Sequence, residues 1–129
     1  MKKILIFGAG SIGNHLANAS RECNLDVSIV DISPEALKRM KNVVYPSRYK
    51  KWDQKIKIFD YKEIFKSNIN YHLIIVGTPP ETHLELLNKI RNNLNYQKIL
   101  VEKPFTIFNQ SKNKLIKYTK EKNIYVGYN

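Results

Sequence analysis

The sequence is short of the residues that mark special classes of protein. In 129 residues it has one cysteine, Cys23, one tryptophan, Trp52, five glycines and five prolines. A single cysteine excludes an intrachain disulfide and so a disulfide-built scaffold. The low glycine and proline contents exclude collagen-like and low-complexity character. No apolar run approaches the roughly 18 residues of a membrane span. The opening MKKILIFGAG is interrupted by Asn14 and His15 before it reaches the form of a secretory signal. These absences lead to the expectation of a cytoplasmic chain in a reducing compartment.

Acidic residues are scarce as well: 11 Asp and Glu face 22 Lys and Arg, a formal charge of +11. Such a balance is a usual footprint of nucleic-acid binding. Here all but four of the cations are lysine (the arginines are Arg21, Arg39, Arg48 and Arg91), and Lys, Asn and Ile are abundant together, as an AT-rich coding sequence imposes on any solvated surface. Base recognition leans on arginine forks, so a solvated basic surface is favoured and a basic nucleic-acid-binding domain is kept as an alternative. The densest cluster is Arg48, Lys50 and Lys51, interleaved with Tyr45, Tyr49 and Trp52, and residues 42–54 read as the least regular part of the chain.

What is present is a regular alternation. The run KILIF (3–7) suits a strand buried on both faces. Ile12, Leu16, Ala19 and Cys23 then recur at helical spacing and predict a buried helix face. DVSIVD (26–31) returns to a strand, and Ser33-Pro34 is an N-cap followed by proline at the first helical position, opening a helix through about Met40. KIKIF (55–59) alternates as a less buried strand and precedes a short helix at 61–66. HLIIVG (72–77) reads as a central strand. Thr78-Pro79-Pro80-Glu81 matches a capping box, ahead of a helix whose buried stripe is Leu84, Leu87, Ile90 and Leu94. KILVE (98–102) is a fifth strand, 108–122 a last helix carrying Phe108, Leu115 and Tyr118, and 123–128 a sixth strand. A chain of this length makes one domain, which buries about two thirds of its unfolded surface. The succession predicts a single α/β domain over 1–129, a doubly wound parallel sheet of the Rossmann type. It should have about six strands in the order 3-2-1-4-5-6, with helices on both faces.

The chemistry is carried by four places. Gly8-Ala9-Gly10-Ser11-Ile12-Gly13 is GxGxxG between the first strand and first helix. Gly8 suits the tight turn, Gly10 lets the backbone approach a pyrophosphate, and Gly13 lets the helix pack close to the strand. The N–H groups of Ser11 and Ile12 face the phosphates at the positive end of the helix. Asp31, 18 residues beyond Gly13, stands where the fold places an acceptor for ribose hydroxyls. Its charge opposes a 2′-phosphate, so NAD is expected over NADP, although Arg39 or Arg48 lies within reach of a phosphate. Thr78 has two roles open to it, N-cap of the next helix and wall of the cofactor site. His83, in the first turn of that helix, reads equally as a surface residue or a cofactor contact. His15 and His72 read as structural. Glu102-Lys103-Pro104 leaves the fifth strand toward the same carboxyl edge, where a lysine can hydrogen-bond a substrate hydroxyl or join a proton relay.

In order and spacing, GAGSIG, VDIS, IIVGTPPETH, ILVEKPF and IYVGYN resemble the amino-terminal half of the Gfo/Idh/MocA oxidoreductases, the glucose–fructose oxidoreductase and inositol dehydrogenase family. The resemblance covers essentially the whole chain, and VEKPF is its most specific piece. It implies pyrophosphate contacts at Gly8, Gly10, Ser11, Ile12 and Gly13 and a ribose contact at Asp31. Thr78, Pro79 and His83 would line the site, with Glu102 and Lys103 beside the nicotinamide. It further implies Lys103 as the residue of substrate positioning and proton transfer, a Lys103–Pro104 bond that is often cis, and a motif that begins at Asn129. The family's second domain, which supplies the substrate pocket and a catalytic histidine, has no counterpart in these 129 residues. The expectation is therefore a cofactor domain inactive by itself, binding a small-molecule substrate only with a second domain and exposing an apolar face near the sixth strand for self-association. A regulatory nucleotide-sensing module of the same fold, without catalysis, is the first alternative.

Overall fold

The computed structural model describes residues 1–107 and 112–127. Six strands form one sheet: β1 (Lys3–Phe7), β2 (Asp26–Val30), β3 (Lys57–Phe59), β4 (Asn70–Val76), β5 (Asn95–Glu102) and β6 (Ile124–Gly127). Their spatial order is β3-β2-β1-β4-β5-β6, as expected, and every neighbouring pair is parallel. The helices are α1 (Ser11–Glu22), α2 (Pro34–Arg39), α3 (Tyr45–Tyr49), α4 (Tyr61–Ile64), α5 (His83–Asn93) and α6 (Lys112–Thr119). The chain moves outward from β1 in one direction through β3, then returns to the centre and moves the other way through β6. β1 and β4 are thus the point where strand order reverses, and the crevice outside their carboxyl ends is where this architecture takes ligands. Among the described residues no helix is long and apolar enough to cross a membrane.

The sheet separates two apolar layers. On one side Leu5, Phe7, Ile74 and Val76 pack against Ile64 of α4, Leu84, Leu87 and Ile90 of α5, and Tyr118 of α6. On the other, Ile4, Ile6, Val27 and Ile29 pack against Ala17 of α1, Leu37, Met40, Tyr45 and Trp52. Continuous apolar strands are what a sheet covered on both faces requires.

Several expectations are corrected. The buried face of α1 is Gly13, Asn14 and Ala17; of the residues expected there, Leu16 packs partly buried against the core, whereas Ile12, Ala19 and Cys23 are exposed. Close approach to the sheet selects the smallest side chains, so the apolar spacing marked only the edge of the buried face. The stretch at 42–54 is irregular only from Lys50 onward: a π-helical turn at Met40–Val44 continues α2 into α3, giving one helical run from Pro34 to Tyr49. Tyr45 and Trp52 are buried, their rings 5.1 Å apart and edge-to-face. They serve the core and offer no platform for stacked bases. Burial, and secondarily the charge of Asp53, pushes the Tyr45 hydroxyl pKa up, and that hydroxyl donates to Asn18 Oδ1 at 3.1 Å. The Ser33 cap is formed, with Ala36 N–H donating to Ser33 Oγ at 3.2 Å. The last helix is described from Lys112; Phe108 and the side chain of Leu115 lie outside the described residues, as do Tyr128 and Asn129.

Candidate functional site

The turn after β1 is built from close backbone contacts. Gly8 N–H donates to Val30 O at 2.9 Å and Gly77 N–H to Phe7 O at 2.8 Å, so the sheet ladders run on past the strand ends on both sides of β1. Gly8 has φ +111°, and a Cβ there would lie 2.7 Å from Gly77 O. A Cβ on Gly13 would lie 1.9 Å from Gly8 O, which explains why the first turn of α1 can seat itself on the end of β1. Gly10 differs from both. A Cβ on it would meet nothing within 4 Å, so its lack of a side chain leaves open space above the turn and answers no packing need. No side chain caps α1, and its first turn holds no acidic residue. Its leading N–H groups, without intrahelical acceptors, make the positive end of the helix an anion site.

Asp31 follows β2 directly. Its Oδ2 accepts from Ala9 N–H and its Oδ1 from Ser33 N–H, both at 2.8 Å. The carboxylate is thereby fixed between the glycine turn and the start of α2, with lone pairs left on both oxygens.

Across the crevice, Thr78 does not cap a helix. A short 3₁₀ turn at Pro80–Thr82 precedes α5, neither has a side-chain cap, and Thr78 Oγ1 instead lies 2.8 Å from Thr82 Oγ1. His83 is neither a surface residue nor a wall of the crevice: it is fully buried. Its Nε2 faces Thr78 O at 2.7 Å and its Nδ1 faces Phe105 O at 3.0 Å. The ring therefore ties the segment after β4 to the segment after β5. The Lys103–Pro104 bond is cis, and Lys103 is exposed at the mouth of the crevice. Of the other histidines, His72 Nδ1 accepts from Lys3 N–H and His15 Nδ1 pairs with the Tyr49 hydroxyl.

These parts enclose a cleft of about 880 Å³ along the carboxyl edge of the sheet. Gly8, Gly10, Ser11, Ile12 and Asp31 line one side, and Thr78, Pro79, Glu102 and Lys103 the other. Gly13 and His83 do not line it; they hold its walls from behind. Lining residues with no site role expected from the sequence include Ala36, Tyr61, Gly77, Glu85 and Lys89, and Arg39 and Arg48, noted above as within reach of a phosphate, line it as well.

The family model described as "Oxidoreductase family, NAD-binding Rossmann fold" matches residues 2–129. The chain belongs to the Gfo/Idh/MocA family. It is an NAD-binding Rossmann domain of these oxidoreductases. Solved structures of similar fold are dehydrogenases. Myo-inositol dehydrogenase from Lactobacillus casei, in complex with NAD(H) and myo-inositol, is 18% identical with a TM-score of 0.66. Myo-inositol 2-dehydrogenase from Lactobacillus plantarum is 19% identical with a TM-score of 0.62. In both cases the match covers 98% of this chain and 36% of the other. The WlbA dehydrogenase from Chromobacterium violaceum, in complex with NADH and UDP-GlcNAcA, is 17% identical with a TM-score of 0.66, over 98% of this chain and 34% of that one. The chain thus spans about a third of the length of these structures. No curated protein matches it. The cleft of this Gfo/Idh/MocA domain lies at the strand-order switch point, and the cofactor of the domain is a nicotinamide dinucleotide.

Proposed function

We propose that this domain serves a dehydrogenase that moves hydride between nicotinamide and a hydroxyl-bearing carbon of a sugar, cyclitol or related alcohol, with NAD preferred to NADP. The observation that carries the cofactor preference is the anchored carboxylate of Asp31. A diphosphate laid on the N–H groups of Ser11 and Ile12 directs the adenosine ribose toward the end of β2. There the free lone pairs of Asp31 suit the 2′- and 3′-hydroxyls, and its charge opposes a 2′-phosphate. The open space above Gly10 supports the fit, since a side chain at that position would fill it.

Thr78, Pro79 and Glu102 would flank the nicotinamide half. When bound, the nicotinamide supplies the hydride donor or acceptor. Lys103, exposed at the mouth, is the group that holds the substrate hydroxyl and moves its proton at Nζ, outward as the alcohol is oxidised and back in the reverse direction. The ligands of the similar structures, NAD(H) with myo-inositol and NADH with UDP-GlcNAcA, support an alcohol or sugar as the substrate class.

A thermal-shift titration with NAD, NADH, NADP and NADPH tests the cofactor part. Ligand at 100 times its dissociation constant adds about 2.7 kcal/mol, a shift of several degrees for a domain of this size. NAD or NADH should stabilise more than the phosphorylated pair, Asp31→Ala should narrow that difference, and Gly10→Val should abolish the shift. Stabilisation by NADPH above NADH would overturn the preference.

A further inference from the structure

The helical run after β2 is attached to α1 by side chains at helical spacing. Tyr45 bonds Asn18, Tyr49 bonds His15, and Arg48 Nη1 donates to Ser11 Oγ at 3.1 Å. α3 therefore runs antiparallel along α1 and ends at the glycine turn. Two backbone irregularities set that placement. The π-helical turn at Met40–Val44 changes the phase of the run before α3 begins, and such turns recur at functional sites. α3 then stops abruptly: Lys50 has φ 72° and ψ −46°, and Lys51 N–H donates to Tyr49 O at 2.9 Å. This is a γ-turn of the rare positive-φ form, held only where surrounding contacts over-determine it.

The result is electrostatically unfavourable as it stands. A guanidinium sits beside the first residue of α1, at the positive end of that helix, where cations are disfavoured. Among the described residues Arg48 forms no ion pair, and its one hydrogen bond to another side chain uses one of five donors. Positive charge gathered over uncapped N–H groups, in a cleft lined by the same Arg48, becomes favourable when an anion enters between them.

We infer that Arg48 is a cofactor-binding residue: its guanidinium, parked on Ser11 Oγ beside the α1 N-terminus, closes over the diphosphate of the dinucleotide. This rests on the cofactor reading given above. Because the diphosphate is common to both dinucleotides, the contact adds affinity without choosing between them, and Asp31 does the choosing.

The test is equilibrium binding of NADH, NADPH and ADP-ribose to the chain and to Arg48→Gln and Arg48→Lys. Loss of a charge-assisted hydrogen bond predicts about tenfold to a hundredfold weaker binding of all three by Arg48→Gln. Arg48→Lys, which keeps a point charge, should recover part of it. An unchanged melting temperature of the ligand-free Arg48→Gln protein shows that the loss is a lost contact. If that variant is instead destabilised, the ratio of Lys to Gln affinities decides, and equal affinities overturn the inference. Binding of NADH by Arg48→Gln as tight as by the parent also overturns it, as does a loss confined to NADPH, which would place the contact on the 2′-phosphate. If the parent chain binds none of the three ligands, the cofactor reading itself fails and takes the inference with it.

Discussion

Gly13 and Gly8 are in backbone contact: a Cβ on Gly13 would lie 1.9 Å from the carbonyl oxygen of Gly8. The glycine turn thus contains two different kinds of glycine. Gly13→Ala forces α1 off the end of β1 and should cost about 3 kcal/mol or more, a large part of the stability of a domain of this size. Gly10→Ala, at an extended φ of −81° with open space around it, should change stability by less than about 1 kcal/mol. It should nonetheless weaken NADH binding, because the added methyl occupies the approach of the diphosphate. Urea denaturation and NADH titration of the two variants separate these effects; equal stability losses would refute the distinction.

His83 predicts a coupling between fold and site. His83→Leu keeps the bulk but leaves the carbonyls of Thr78 and Phe105 without their partner, at a cost of about 2 kcal/mol. The expected signature is local, with faster hydrogen exchange at residues 103–107 than in β1 or β4. Unchanged exchange in that segment would show that the ring is merely filling space.

The pair Arg21–Asp53 predicts an acid-dependent term. Burial works to raise the Asp53 carboxyl. Hydrogen bonds from Lys55 N–H and from Arg21 Nε at 2.9 Å, with the charge of Arg21, outweigh burial and hold its pKa below the ordinary 3.8. A carboxyl lowered in the folded state contributes stability that is complete above the unfolded value and is lost as pH falls through the folded one. Asp53→Asn should therefore cost about 1.5 kcal/mol at pH 7, and the gap from the parent should close as pH drops below about 4. A gap that stays constant down to pH 2.5 would show that the effect is not ionic.

Lys103 separates an oxidoreductase from a nucleotide sensor. In a protein that joins this domain to a substrate-binding part, Lys103→Met should lower turnover about 10²- to 10⁴-fold, with a much smaller change in NADH affinity. Turnover that survives the substitution would remove Lys103 from proton transfer.

The sheet order was legible in the sequence because each strand is a short apolar run and the crossovers between them bring residues at helical spacing. GxGxxG and Asp31 were legible because the turn needs those residue types at that spacing. What was not legible had specific causes. The buried face of α1 is chosen by Gly13 and Ala17, which carry little hydrophobic signal, so Ile12 and Cys23 misdirected the reading. Lys41, Asn42 and Pro46 make the 40–49 segment look broken; the π-helical turn upstream lets the run absorb a proline at the start of α3. His83 was misplaced because its partners are main-chain carbonyls of Thr78 and Phe105, and nothing in their side chains announces them. Arg48 was seen as one member of a basic cluster, but only the antiparallel packing of α3 on α1 separates it from Lys50 and Lys51.

The single indole of the chain is built into the same helical attachment. Trp52 lies against Tyr45, whose hydroxyl bonds Asn18 of α1, three residues before the arginine at the glycine turn. Its emission therefore comes from one defined place, free of background from any other tryptophan. Undocking of the α3 segment would transfer the indole from an apolar contact to water and shift its emission to the red. The protein thus carries an intrinsic optical reporter on the element that positions Arg48, one that follows docking in real time without label or substitution.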